Sequence, residues 1–426
     1  MKKIIFLVTL LVMSFTVGIV KAVPPAQDSG GEVYVVQAGD WLSKLAEKYY
    51  GDMLAYHAIV ESTNAKAAED SSFAVIDNPN LIEVGQKLWI LATTEQVVET
   101  EQVVEIVEVV KAVPETQVTD IPLVGPVADR NAEISGMAWY GDYLIILPQY
   151  PNFFVEEGDG FIFAIPKTDI IAFLDGASNE PLEPIQIPFI APDLQETITG
   201  FQGYEAIVFV EDNKTFLTVE SETEAGMLGY LVTGFIEPDL SALTIDTENM
   251  TEIQPQTGVG NMSEESLIAA GETLVTIYEA NGVDINSSAV SHVFDKSLAF
   301  VETIPFPNVE YRITDATVLD GSNRFWAINY FYPGDEDLLP VTDPMADVYG
   351  EGTTHAQNDG VERLVEFQYD KTGITLMDAS PIQLELLEDE LRNWEGLVRM
   401  DARGFLIATD KYPQTILSFV PLPDAN

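Results

Sequence analysis

Five times along this chain an acidic or hydroxyl residue opens an apolar run, a turn follows, and a second apolar run closes on a polar residue. The five stretches are Ser135 to Gln149, Glu205 to Glu220, Glu265 to Glu279, Asp315 to Asn329 and Glu395 to Asp410. In each, the closing residue stands 14 or 15 positions after the opening one, and the starts lie 70, 60, 50 and 80 residues apart. Two short apolar runs around a turn read as an antiparallel hairpin. Further β-type runs, such as Phe161 to Ile165 and Ile185 to Ile190, fill the intervals. A repeat of about 50 residues or more with about four strands buries its faces only against its neighbours, and a closed ring of such units is a β-propeller. The sequence therefore predicts an all-β propeller of five blades over residues 119–426, with intervals long enough to hide a sixth. The last copy has room for three strands, and Ile121 to Val127 is expected to supply the fourth and close the ring.

A hairpin sets the start of one strand beside the end of the next. If these hairpins are the inner strands, the ten opening and closing residues gather at one mouth of the central channel. Carboxylates so close together resist joint ionisation. Either some keep their protons, or a hard cation neutralises them. Ca²⁺, which takes roughly six to eight oxygen ligands in a flexible shell, is the expected cofactor, with Ser135, Glu205, Glu265, Asp315 and Glu395 as its ligands. The competing expectation is that these acids only accept from backbone amides of neighbouring blades. Glu205, Glu265 and Glu395 are the candidate catalytic carboxylates. Arg312 and Arg392 each stand three residues before a ring acid, and Lys411 follows one. These three are candidate grips for phosphate, or salt-bridge partners of the ring.

Residues 32–92 read differently. Val33-Tyr34-Val35-Val36 is a short β-run, and Asp40 can cap a helix whose apolar face is Leu42, Leu45, Ala46 and Tyr49. A second helix carries Tyr56, Ile59 and Val60 inward, and Gly85-Gln86-Lys87-Leu88-Trp89-Ile90 turns into a closing strand. The result is a small α+β module of order β-α-α-β, making the chain multidomain.

Its strings Tyr34-Val35-Val36-Gln37-Ala38-Gly39-Asp40, Leu45-Ala46 with Tyr50-Gly51-Asp52, Asn64, and Asn78-Pro79-Asn80-Leu81-Ile82 before Gly85-Gln86-Lys87-Leu88 resemble the LysM family. That resemblance implies binding of peptidoglycan or a chitin-like N-acetylated glycan in a groove formed by Gly39, Asp40, Trp41 and Leu42 on one side and Asn78, Pro79, Asn80, Leu81 and Ile82 on the other. Trp41 stands where the family usually has Thr and is expected either to stack on a sugar ring or to obstruct the groove, and Ala65 to Asp77 is longer than usual, so an altered groove wall is expected. In the repeats, Tyr204-Glu205-Ala206, Asn261 with Glu264-Glu265-Ser266, Arg312 with Asp315-Ala316, and Asn393-Trp394-Glu395-Gly396-Leu397 with Ala408-Thr409-Asp410 look like the esterase-like phytase propellers. This second resemblance rests on shorter motifs. It implies hydrolysis of phosphate esters with Ca²⁺ at the channel mouth.

Lys2-Lys3, the uncharged run Ile4 to Val20 and Val20-Lys21-Ala22 read as an export signal over residues 1–22, cut after Ala22; an uncleaved anchor is the alternative. No stable membrane span is expected once it is removed. With no Cys, an exported chain is held by core burial, helped by any bound metal. Residues 93–118, where Glu101-Gln102-Val103-Val104 echoes Glu95-Gln96-Val97-Val98, read as an extended acidic linker or an exposed strand. The net charge of −49 repels nucleic acid and anionic lipid and attracts divalent cations. No Gly-x-Ser-x-Gly elbow, P-loop or His metal motif occurs. His57 reads as structural, and His355 as a solvated loop residue or an acid overhanging the channel. The expectation is a secreted protein, extracellular or periplasmic and associated with the cell wall. Its propeller is either a Ca²⁺-dependent hydrolase of a phosphorylated small molecule or a non-catalytic binder of a partner or glycan.

Overall fold

The computed structural model describes residues 31–37, 42–50, 56–70, 72–76, 82, 84–91, 113–224, 226–387 and 390–423. The chain divides into two compact units, Met1–Glu105 and Ile106–Asn426. The predicted signal at 1–22 lies outside the described residues, as do 93–112 of the predicted linker.

In the first unit the strand Gly31–Val35 precedes the helices Leu42–Tyr50 and Tyr56–Glu69, and the strand Lys87–Leu91 follows them. The two strands pair antiparallel, Gly31 against Leu91 and Val35 against Lys87. Leu42, Leu45, Ala46 and Ile59 meet Val36, Ile76, Leu88 and Ile90 in one small core, so the helical periodicity faces the sheet. Asn64 pins the stretch after the second helix: its Nδ2 donates to Ile76 O and its Oδ1 accepts from Ile76 N, at 3.1 and 2.7 Å. Of the expected groove residues, Gly39, Asp40, Trp41, Asn78, Pro79, Asn80 and Leu81 lie outside the described residues. Leu42 is part of the core and Ile82 packs against it. His57 falls in the second helix, but its side chain is outside the described ones.

In the second unit the described strands form five blades. Blade 1 runs outward through Ile134–Tyr140, Tyr143–Pro148, Phe161–Pro166 and Ile185–Ile190, and blade 2 through Phe201–Phe209, Lys214–Thr223, Gly226–Ile236 and Leu243–Ile253. Their outermost strands join in parallel where Leu243 and Thr244 pair with Phe189 and Ile190. Blade 3 is Ser266–Ala270, Thr273–Ile277, Val290–Asp295 and Phe300–Pro305. Blade 4 is Arg312–Ala316, Arg324–Phe331 and Val361–Asp370, with Gly373–Leu376 and Ile382–Leu384 both on its outer side. Blade 5 is Trp394–Met400, Gly404–Thr409 and Leu417–Pro421, completed by Thr119–Ile121 from the start of the unit.

Each innermost strand touches those of the two adjacent blades, and blade 5 touches blade 1, so the ring is closed. Every blade interface has its own apolar cluster, from Ile207 and Leu217 against Leu147 between blades 1 and 2 to Met137 and Ile146 against Leu406 between blades 5 and 1. Burial on both faces explains why these strands are apolar almost throughout. The innermost strands approach closely: a Cβ at Gly136 would come within 2.8 Å of the Glu205 carbonyl.

Two boundaries differ from the sequence reading. The closing strand is Thr119–Ile121, whereas Pro126–Ala128, near the end of the expected stretch, is a short 3₁₀ turn that starts with proline and leaves the sheet. The propeller also begins earlier than residue 119. Glu115–Thr116, assigned to the linker, adds in parallel to Ile382–Leu384 in blade 4. The Glu115 carboxylate accepts from Thr354 N, Thr354 Oγ1, His355 N and His355 Nδ1 at 2.7–3.1 Å. His355 Nε2 in turn accepts from Glu362 N, so this histidine is a buried structural part and not a solvated loop residue. Glu115→Ala strands these donors. It is expected to cost about 2 kcal/mol of propeller stability and to speed proteolysis around residue 355, read by urea unfolding and peptide mapping.

Candidate functional site

The ring residues stand at a repeated irregularity. In blades 1, 2, 4 and 5 the innermost strand carries one extra residue against its neighbour, at Ser135, Glu205-Ala206, Thr314-Asp315 and Glu395. Such bulges re-aim side chains. In blade 3 the strand begins one residue after Glu265.

Six of the ten predicted ring residues line one cavity of about 740 Å³: Gln149, Glu205, Glu220, Glu265, Glu395 and Asp410. Among the five residues that open the hairpins, side-chain length separates those that line it from those that do not. Ser135, a predicted ligand, donates from its hydroxyl to Tyr204 O at 2.6 Å and staples blade 1 to blade 2. Asp315, another, accepts from Leu397 N at 2.6 Å and from Ala316 N at 2.7 Å, stapling blade 4 to blade 5. For Asp315, the expectation that ring acids serve neighbouring amides is met. Neither residue lines the cavity. The opening glutamates Glu205, Glu265 and Glu395, one methylene longer than Asp315, reach it. Asn329 is also a backbone partner: its Nδ2 donates to Glu310 O and Arg312 O.

Of the three expected phosphate grips, one reaches the cavity. Arg312 lines it and pairs with Glu279 through Nε and with Glu395 Oε1 at 3.6 Å, under the ring of Tyr330. Arg392 is buried away from the lining, fixed by Glu362 and by Glu385 O. Lys411 donates to Glu133 Oε1 at 2.7 Å. These two form salt bridges, but with Glu362 and Glu133, which are not ring acids; the expected pairing with the ring is made by Arg312.

The electrostatics are lopsided. Seven carboxylates line the cavity against the guanidiniums of Arg130 and Arg312. Burial, then the Glu220 and Glu395 charges, push Glu205 well above the usual carboxylate range. Burial and Glu205 do the same to Glu265, and burial and Asp410 to Glu395. Glu220 is pushed up to about 7 by burial and by Glu279, against the pull of Arg312. Burial opposes the charge on Arg312, but Glu279, Glu395 and Glu265 outweigh it and keep the guanidinium ionised.

Two amides hold two of the acids: Gln149 Nε2 donates to Glu205 Oε1 at 3.1 Å and Asn393 Nδ2 to Glu395 Oε1 at 2.6 Å. Other oxygens are left over. Glu220 Oε1, Glu279 Oε2, Asn393 Oδ1 and Asp335 Oδ2 are buried without a hydrogen-bond partner. A buried acceptor without a donor is costly, and three of these four oxygens, those of Glu220, Asn393 and Asp335, belong to residues of the cavity lining. All-oxygen chemistry suits Ca²⁺. Among the described residues, no three carboxylate or imidazole groups already converge as a closed cage, so a cation would have to draw side chains together.

Asp335, Glu390, Arg130 and the tyrosines Tyr330, Tyr332 and Tyr412 also line the cavity, and sequence reasoning did not assign them there. Tyr330 and Tyr332 lie just after Asn329, and Tyr412 just after Asp410. The signal was an aromatic residue one to three positions past the closing polar residue.

No family model matches this chain. A stretch of 64 residues is 45% identical to an uncharacterized protein of Deinococcus radiodurans; it covers 15% of this chain and 21% of that protein. Among solved structures, a protein of the GH130 family of mannoside phosphorylases is similar over 73% of this chain and 95% of its own, with 9% identity and a TM-score of 0.40. The GH43 endo-arabinanase of Bacillus licheniformis is similar over 71% and 97%, with 9% identity and a TM-score of 0.39. A luciferin-regenerating enzyme is similar over 72% and 95%, with 8% identity and a TM-score of 0.37. At this level of likeness none of the three bears on chemistry.

Proposed function

We propose that this chain is an exported, wall-associated protein whose propeller hydrolyses phosphate esters with Ca²⁺ and whose first unit attaches it to N-acetylated glycan. One observation carries the propeller's part: ring closure brings Glu205, Glu265 and Glu395, up to 190 residues apart in the chain, into one cavity with unsatisfied acceptor oxygens. Glu205, Glu265 and Glu220 would hold the cation. The bound cation would neutralise these charges and polarise a phosphoryl oxygen. Glu395 and Asp410 would then handle the proton of the attacking water, with Asn393 fixing the Glu395 carboxylate. Arg312 is the grip left for the phosphoryl group.

The glycan reading rests on the LysM-like strings, supported by the β-α-α-β order and by Asn64 anchoring the stretch after the second helix. The pairing of Arg392 and Lys411 with Glu362 and Glu133 favours a second reading, a propeller that binds without turnover.

Calorimetry with Ca²⁺ and turnover of p-nitrophenyl phosphate separate the two. Heat of binding that is lost in the Glu205→Gln/Glu265→Gln double variant, with turnover abolished by EDTA, is the expected result. Binding without turnover leaves the second reading; neither binding nor turnover removes the cation from the account.

A further inference from the structure

We infer that the mouth of the axial cavity is a sugar-ring subsite, with Tyr332 and Tyr412 as its specificity-determining residues. The inference deepens the reading above, because it rests on the same cavity and names the part of a substrate the propeller would recognise.

Tyr332 and Tyr412 each keep 52% of their surface exposed, whereas Tyr330 in the same lining keeps 3%. They come from adjacent blades, each just past the end of the second strand. Both rings are braced. Tyr332 lies close over Gly334, where a Cβ would come within 2.3 Å of the ring. The Arg130 guanidinium sits 5.3 Å from the Tyr412 ring centre, while its Nε donates to Lys411 O. Pre-positioned, half-exposed tyrosines at the edge of a polar cavity suit a ligand with one apolar face and a hydroxylated rim. A sugar ring has both.

The cavity wall agrees. Glu220 and Asn393 are only 4% and 9% exposed, and each has a buried acceptor oxygen without a partner; the Asp335 Oδ2 atom is a third. These oxygens call for donors. A phosphate dianion brings only acceptors, whereas every sugar hydroxyl brings a donor as well. A neutral ring also enters a cavity with seven carboxylates without the repulsion that a bare anion meets. The volume of about 740 Å³ falls within the range of roughly 300–1,000 Å³ usual for small-molecule sites.

The test uses the full chain and a panel of neutral saccharides without N-acetyl groups: glucose, mannose, galactose and arabinose oligomers. Binding is followed by saturation-transfer NMR and calorimetry, once in Ca²⁺ and once in EDTA. At least one saccharide is expected to bind, and Tyr332→Ala and Tyr412→Ala are each expected to weaken it about tenfold, with the melting temperature unchanged. The tyrosine variants separate this signal from any groove on the first unit. No binding across the panel in either buffer overturns the inference, and so does binding that both variants leave intact. Saccharide binding without phosphoester turnover would sink the hydrolase reading and leave the subsite standing; turnover with no saccharide bound would do the reverse.

Discussion

Arg392→Ala is expected to destabilise the propeller by about 3–5 kcal/mol, the cost typical of orphaning a buried charge. Arg392 is 4% exposed and Glu362 is fully buried. The arginine's own amide donates to Glu362 Oε1 at 2.8 Å and its Nε to Oε2 at 2.9 Å, while Trp394 Nε1 donates to the same Oε2 at 2.7 Å. Burial already pushes Glu362 upward, and Arg392 is the largest force holding it down. Without the guanidinium, that carboxyl must take up a proton to stay inside. Its folded-state pKa then lies further above the ordinary glutamate value, so stability is retained below that ordinary value and lost as pH rises. The variant should therefore differ least from the parent near pH 5 and most near pH 8, measured by urea unfolding. Glu362→Gln/Arg392→Met removes both charges and is expected to recover most of the loss. A phosphate grip would behave in the opposite way, with substrate affinity falling and stability unmoved. That outcome would return Arg392 to the site.

The sequence position of Arg392 could not have distinguished these roles. Arg312 and Arg392 stand at the same offset from a ring acid, yet one faces the cavity and the other a blade interface. What differs is the partner: Glu362 lies in the third strand of blade 4 and is brought to Arg392 only by the packing of blade 5 on blade 4. Local spacing carries no trace of such a contact. The hairpins were legible because each strand is a short apolar run bounded by turn residues, and the pair recurs often enough to count. Thr119–Ile121 and Glu115–Thr116 were misplaced because two or three residues hold no periodicity; the sheets that receive them define them. Within the ring, residue type carried more information than was used. Ser135 and Asp315 have short side chains and become inter-blade staples, while the three glutamates at the matching positions reach the cavity.

The acid-rich wall is a stability liability that every propeller contact must offset. Adjacent buried carboxylates repel, and among the described residues only Arg130 and Arg312 stand against them in the cavity lining. A fold selected only for stability would replace them with amides, which keep the shape and remove the charge. Under the proposed function these acids are the cost of a site that does chemistry or binds a ligand.

Glu220→Gln tests that trade directly. The Glu220 pKa is about 7 in the folded chain, pushed up by burial first and Glu279 second, from a reference value of 4.5. Both states hold the proton below about pH 4.5, so nothing is lost there. As pH rises through the folded-state value, the unfolded chain gains ionisation that the folded chain resists. The penalty grows until about pH 7 and then levels off at roughly 3 kcal/mol. Glu205, Glu265 and Glu395, raised in the same direction, steepen the fall. In EDTA the parent's propeller transition should therefore drop in temperature between pH 5 and pH 8. Glu220→Gln should match the parent at pH 5 and melt roughly 5 °C higher at pH 8. Adding Ca²⁺ at pH 8 should reverse the order, because the parent gains a ligand for its charge and the variant gains less. A parent transition that stays level from pH 5 to pH 8, with a variant no more stable than it, would mean that these carboxylates are neutralised by contacts within the fold and that the wall has no need of a ligand.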